Sequence, residues 1–372
     1  MGSLGPFFKT FLILSALMLA SASFTFAGPQ IAKGVTHYVD GQLSSNCTSA
    51  NYSIANRNCT GSDGNAYGTA NGLVNASIAS AAGDTIIIRS FAGVYTGFSP
   101  RSGSSLNNRT TYHGYQNELP IVRGFGQDCN ATCQPAQYVL VKNLIVDGGN
   151  AFQQSCIGDQ LFLRYENLEI RNCGQHGMLG IGYSELIDLN VHSNGYNNAG
   201  GDGGAGHGLY TASGTSYINN LIDGGRYHHN SGYGIHCYSS CRNTIIRNLR
   251  ADHNRGAGVI VAFDSGVEVY NVVADNNGVG VWFAADGAIG YNITAYNNSN
   301  ADIYVSDFSN QTLENSIGLP NGISTISGTT TSNNISGGSA SSYFVDADNA
   351  NFQLIFTSTA NNVGADLSLL YY

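Results

Sequence analysis

The chain has 372 residues, 48 of them Gly and 41 Asn; only 10% are charged, and 15 Lys and Arg against 24 Asp and Glu give a net charge of −9. Gly and Asn are poor helix formers, so this composition excludes coiled coils and helix bundles; the acidic balance argues against a nucleic-acid partner. A hydrophobic share of 42% with 22 Tyr excludes a disordered chain, which leaves a β-rich protein with many tight turns.

Residues 1–27 hold Lys9, an apolar run from Phe11 to Ala20 and small residues up to Ala27. That is the pattern of a secretory signal peptide. The run is too short for a good membrane span and no second one follows, so residues 28–372 are expected to be secreted or periplasmic, with no span. Eight Cys suit that compartment. Chain neighbours suggest Cys47–Cys59, Cys129–Cys133, Cys156–Cys173 and Cys237–Cys241, one of 105 connectivities. Ten N-x-S/T sequons, at Asn46, Asn51, Asn58, Asn75, Asn108, Asn130, Asn292, Asn297, Asn310 and Asn334, are glycosylated only in a host that does so.

From residue 143 the chain repeats. Asn248-Leu249-Arg250-Ala251-Asp252-His253-Asn254 aligns with Asn271-Val272-Val273-Ala274-Asp275-Asn276-Asn277 and with Asn292-Ile293-Thr294-Ala295-Tyr296-Asn297-Asn298. Further copies begin at Asn143, Asn167, Asp188, Asn220 and Asn315, giving successive spacings of 24, 21, 32, 28, 23, 21 and 23. Each of four copies is followed by Gly and a short alternating run, as in Gly208-Leu209-Tyr210, Gly234-Ile235-His236, Gly258-Val259-Ile260 and Gly280-Val281-Trp282. Period-two alternation means strands. A period near 22 with three short strands reads as one coil of a parallel β-solenoid, whose coils must stack to bury an apolar face. Leu144, Leu168, Leu189, Leu221, Leu249, Val272 and Ile293 are expected to form an inward aliphatic column. The preceding Asn residues are expected at a bend, where their tolerance of the left-handed region helps and their amides bond along the stack.

With these features the chain resembles the pectin-lyase-like family of right-handed parallel β-helices over nearly all of residues 28–372. His37-Tyr38-Val39-Asp40, then Gly83-Asp84-Thr85-Ile86-Ile87-Ile88 and Gly93-Val94-Tyr95, look like its first coil, with a short capping helix near 68–82. Phe344-Val345-Asp346, Asn351-Phe352-Gln353-Leu354 and Gly364-Ala365-Asp366 look like its last. The resemblance implies an all-β, right-handed parallel β-helix of roughly eight or more coils in one domain. Residues 28–120 would be the cap and first coils, 121–318 the regular coils and 319–372 the closing coils. A monomer is expected.

The resemblance also implies a substrate groove along the strand after each Gly and the turn before it. There Leu209, Ile235, Val259, Val281 and Ile303 should point inward, and Tyr210, His236, Ile260, Trp282 and Tyr304 outward. A row of rings suits sugar faces. It also stabilises a solenoid by itself. Seven of nine His lie between 176 and 253, and five Arg between 226 and 255. A Gly-rich insertion, 195–206, enlarges one turn, as loops that build sites do. Many relatives in the resembling family act on uronic-acid polysaccharides. For β-elimination or C5 epimerisation, Arg255 or Arg226 would pair with the substrate carboxylate. His207, Tyr210 or His236 would move protons. Trp282, Tyr304, His229, Asp252 and His253 would bind substrate. Hydrolysis would need two carboxylates, from Asp202, Asp252 and Asp264; Gly206-His207-Gly208 matches a short piece of the polygalacturonase pattern, whose paired aspartates are missing. A third option is a non-catalytic polysaccharide-binding, adhesin-like or structural module. The residues alone assign no cofactor. Calcium, the option the resemblance brings, would need an acidic cluster that the sequence does not display.

Overall fold

A computed structural model describes residues 34–126, 136–150, 155–158, 160–196, 206–211, 218–239, 241–263 and 266–361. The expected signal peptide, the Cys129–Cys133 pair, the tip of the Gly-rich insertion and Gly364-Ala365-Asp366 lie outside the described residues. The rest winds into a right-handed parallel β-solenoid of about 11 turns. The strand Thr36–Asp40 pairs in parallel with Thr85–Arg89, and the helix Gly72–Ala79 between them buries Leu73 and Ala76 against the first coil. Disulfides join Cys47 to Cys59, Cys156 to Cys173 and Cys237 to Cys241.

Each regular coil has one short strand and one long bent strand rather than three short ones. The short strands Leu209–Tyr210, Ile235–Tyr238, Ala257–Ala262, Val279–Ala284 and Ala301–Val305 stack into one sheet. The long strands Glu185–His192, Leu221–His228, Ile245–Asp252, Glu268–Asp275 and Ile289–Tyr296 stack into the other. The Gly at or just before the start of the first four of these short strands has a steric cause. A Cβ on Gly177, Gly208, Gly234, Gly258 or Gly280 would sit 2.3–2.8 Å from a carbonyl oxygen of the next coil.

The bend in the long strand is the asparagine position. Asn143, Asn167, Asp188, Asn248, Asn271, Asn292 and Asn315 all hold positive φ, between 48° and 56°. Their amides bond along the stack: Asn271 Nδ2 donates to Asn248 Oδ1 at 3.1 Å and Asn292 Nδ2 to Asn271 Oδ1 at 3.2 Å. One expected member is misplaced. Leu189 is in register with Gly225, and Leu221 with Glu185, so Gly224 holds the bend and Asn220 belongs to another corner. Leu221 therefore leaves the aliphatic column. A side chain at Gly225 would put Cβ 2.1 Å from the Leu189 carbonyl oxygen. The other six members, Leu144, Leu168, Leu189, Leu249, Val272 and Ile293, are at most 4% exposed.

A second ladder is buried. Asn194, Asn230, Asn254, Asn277 and Asn298 follow left-handed residues at the next corner and are 0–4% exposed. Each accepts and donates along the stack; Asn254 Nδ2, for example, reaches Asn277 Oδ1 at 3.0 Å and the Tyr227 carbonyl at 2.9 Å. At the far end Phe344–Asp346 and Asn351–Leu354 pair as an antiparallel hairpin, packing Phe344 on Leu319. Among the described residues no helix is long and apolar enough to cross a membrane.

Candidate functional site

The short-strand sheet presents one continuous outward row. Tyr210, His236, Ile260, Trp282 and Tyr304 are partners in the parallel register, while Leu209, Ile235, Val259, Val281 and Ile303 are fully buried behind them. Tyr210 stacks on His236 at 4.9 Å, and Trp282 faces Tyr304 at 5.6 Å. Ile260 between the two pairs is 5% exposed, covered by an outer cluster with Tyr233, Tyr238 and Trp282.

A second row lies beside the first, at the residues just before the glycines. The His207 ring is fully buried between His176 at 4.8 Å and Tyr233 at 4.9 Å. Hydrogen bonds then assign the protons. The backbone N–H of Tyr233 donates to His207 Nδ1 at 2.9 Å, so the proton of the neutral ring sits on Nε2. That Nε2 lies 3.1 Å from His236 Nδ1, which must accept. His236 therefore turns an Nε2–H outward. Burial lowers the pKa of His176 to about 4, and burial together with His176 lowers that of His236 to about 3. Burial also holds His207 far below its ordinary value. All three rings are neutral near pH 7. Burial and Tyr238 raise the pKa of Tyr210, so its phenol stays protonated. The ring face thus offers donors and no free base.

The other group sits at the corner leading into that sheet. Asp252 is fully buried, and Arg226 binds both its oxygens, at 2.7 and 2.6 Å. Burial works to raise the Asp252 pKa, but the hydrogen bonds from Arg226 and His253 hold it at about 2. The carboxylate accepts from His253 Nδ1 at 2.8 Å, so in the neutral ring Nε2 is the nitrogen that carries the lone pair. A parallel chain fixes His229. Asn190 Oδ1 accepts from His228 Nε2 at 3.0 Å, so His228 Nδ1 accepts from His229 Nδ1 at 2.8 Å. His229 Nε2 is then a lone pair too. The His229 and His253 rings stack at 4.8 Å, within 4° of parallel. With Arg255, Tyr196, Ser193 and Ser231 they line an open depression of about 370 Å³.

The ten residues expected at the site therefore form two neighbouring groups. His207, Tyr210 and His236 meet on the ring face, with Trp282 and Tyr304 farther along the same row. His229, Asp252, His253 and Arg255 meet at the corner. Arg226 stands behind them as the partner of Asp252. Tyr233, Tyr238, His176 and His228 also belong to these groups and were not singled out as site residues. Tyr233 had a readable signal, since it precedes Gly234 as His207 precedes Gly208. Of the carboxylates considered for hydrolysis, Asp202 and Asp264 lie outside the described residues and Asp252 is occupied by Arg226. Among the described residues, the group able to share a metal ion is His229, Asp252 and His253. It is rich in nitrogen, with its single carboxylate buried and paired, so it does not fit calcium.

No protein-family model matches the chain, and no curated protein matches it. Solved structures do. Pectate lyase Pel9A is 16% identical with a TM-score of 0.56, over 90% of this chain and 93% of that one. The alginate lyase from Paenibacillus sp. str. FPU-7 is 16% identical with a TM-score of 0.49, over 69% of this chain and 96% of that one. The A-module of the Azotobacter vinelandii mannuronan C-5 epimerase AlgE4 is 12% identical with a TM-score of 0.42, over 70% and 86%. At these identities the likeness is one of fold.

Proposed function

We propose that this pectin-lyase-like right-handed parallel β-helix is an exported carbohydrate-active protein that acts on a uronic-acid polysaccharide by β-elimination or C5 epimerisation. One observation carries the reading: a histidine lone pair, oriented by a buried carboxylate, stands in the same depression as Arg255 and next to a ring-lined face. Both reactions begin when a base removes the C5 proton and the electron pair moves into the carboxylate as an enediolate. Elimination then expels the C4 oxygen, which takes a proton, and leaves a C4–C5 double bond. Epimerisation returns a proton to C5 from the opposite side.

His253 Nε2 is the base in this reading. Asp252 orients it and stabilises the imidazolium that forms, as a carboxylate behind a histidine does. Arg255 pairs with the substrate carboxylate, whose charge must be offset before the C5 proton becomes acidic. Tyr210, His236, Trp282 and Tyr304 hold the sugar rings that extend along the solenoid. His236 donates its Nε2–H to a sugar oxygen, and His207 fixes that orientation. A pectate lyase shares the fold, which makes polyuronates the class to try first.

Purified protein is incubated with pectate, alginate and glycosaminoglycans. Ultraviolet absorbance reads the new double bond, and deuterium uptake at C5 in heavy water reads epimerisation. Turnover is expected, and His253→Gln should lower it by about 10²- to 10⁴-fold, the usual contribution of a general base. His236→Ala should weaken substrate binding more than kcat. Full activity in His253→Gln would remove that residue from the chemistry. The lack of a free base on the ring face favours a second reading, a polysaccharide-binding module; saturable binding without product on every polymer would select it.

A further inference from the structure

We propose that His229 and His253 form a binding site for one borderline divalent transition-metal ion of the Zn²⁺, Ni²⁺ or Cu²⁺ class. The two residues occupy the same corner position on neighbouring coils, with φ of 53° and 54°, and both are exposed. Their wiring matters more than their proximity. Metal ions need an unprotonated ring nitrogen, and metal-bound histidines usually donate their other N–H to a carboxylate or another acceptor. Here Asp252 Oδ2 accepts from the His253 Nδ1–H and His228 Nδ1 accepts from the His229 Nδ1–H. Asn190 sets the His228 tautomer in turn. Both rings line the depression, and their Nε2 lone pairs are thus set without any metal being needed to arrange them.

The ligand atoms of His229, His253 and Asp252 lie within 4.8 Å of one another. The two rings stack in parallel, so each must tilt toward the other before both nitrogens reach one ion at Zn–N bonds of about 2.0–2.1 Å. Asp252 stays behind as the orienting carboxylate, held by Arg226. Two imidazoles with water in the remaining positions suit Zn²⁺, Ni²⁺ and Cu²⁺, the last most strongly. Hard oxygen-seeking ions are excluded, because no exposed carboxylate belongs to the group. The inference stands apart from the enzymatic reading. Under that reading a bound ion would cover the His253 lone pair and inhibit turnover.

The test is titration of untagged protein with Cu²⁺, read by calorimetry and electron paramagnetic resonance, with no polysaccharide present. One ion per chain is expected, with two imidazole nitrogens in its coordination plane. His229→Ala and His253→Ala should each weaken binding at least about tenfold. Asn190→Leu touches no metal but releases the tautomer of His228 and hence of His229; it should also cost about tenfold, as loss of an outer partner does. Absence of saturable binding, or wild-type affinity in the His229→Ala/His253→Ala double variant, would overturn the site. Unchanged affinity in Asn190→Leu would overturn the wiring. Because binding is read without substrate, a protein inactive on every polymer would leave the result standing.

Discussion

A buried imidazole is kept neutral by its surroundings, and the folded protein loses stability when acid forces a charge on it. His176 is 6% exposed and His207 fully buried, both held below the ordinary histidine pKa by burial. In the unfolded chain each takes a proton below about pH 6.5. Between that pH and the depressed folded value the unfolded state binds more protons. Stability therefore falls as pH falls, by up to about 1.4 kcal/mol per pH unit for each ring. Asp252 acts in a lower window. Its pKa drops from 3.8 to about 2 on folding, so its contribution is intact above pH 4 and is lost only below. Urea unfolding between pH 6.5 and 4 should thus show a histidine-driven slope, and His176→Phe should remove one ring's share. An unchanged slope would mean that this ring is not buried neutral. The sequence marked the region, because His and Arg crowd between 176 and 255 in a chain with little other charge. It could not say which nitrogen carries a proton. That depends on a backbone N–H of Tyr233 and on Asn190, a coil away from the ring it governs.

Two asparagine ladders run along the same solenoid, and physical chemistry separates them. Asn248 is exposed and its main task is to occupy the left-handed region, with φ of 55°. Asn248→Ala should cost about 1–2 kcal/mol, and Asn248→Gly less, because Gly adopts that region without penalty. Asn254 is 2% exposed; its amide spans the Tyr227 carbonyl, Asn277 Oδ1 and the backbone and side-chain N–H groups of Asn230. Asn254→Ala leaves several buried partners unsatisfied, at about 1–3 kcal/mol each. It should cost at least twice as much as Asn248→Ala in urea unfolding, and equal costs would contradict the buried ladder. The outer ladder was legible because a bend asparagine followed by an aliphatic residue recurs at an even spacing. The inner one has the look of ordinary turn residues in the sequence, since nothing local says that a corner closes over its amide. The shift from Asn220 to Gly224 has the same root. Asn220-Leu221 imitates the motif, while the true bend carries Gly-Gly because Leu189 crowds that place. Moving the bend makes the steps 21, 36 and 24 residues, so one coil takes all the extra length.

At the scale of the molecule, stacking solves burial for every coil except the terminal ones. An end coil offers an apolar face and unpaired strand edges, which invite another chain. The helix Gly72–Ala79 covers the first coil, and the hairpin of Phe344–Asp346 with Asn351–Leu354 covers the last. Phe344, Leu319 and Ala347, at 3%, 0% and 7% exposed, form the contact, with Tyr296 and Phe352 packed against them. Coils contact mainly their neighbours, so damage at one end should stay there. Phe344→Asp removes a buried ring and places a charge against Leu319, a core change worth several kcal/mol. Hydrogen exchange should then lose protection in Thr312–Glu314, Ile317–Leu319 and the hairpin, while Ile245–Asp252 and Glu268–Asp275 keep theirs. Light scattering should report self-association through the uncovered edge. Protection lost evenly along the chain would instead show that the solenoid unfolds as one unit, and a variant that stays protected and monodisperse would show that the hairpin does not act as a cap.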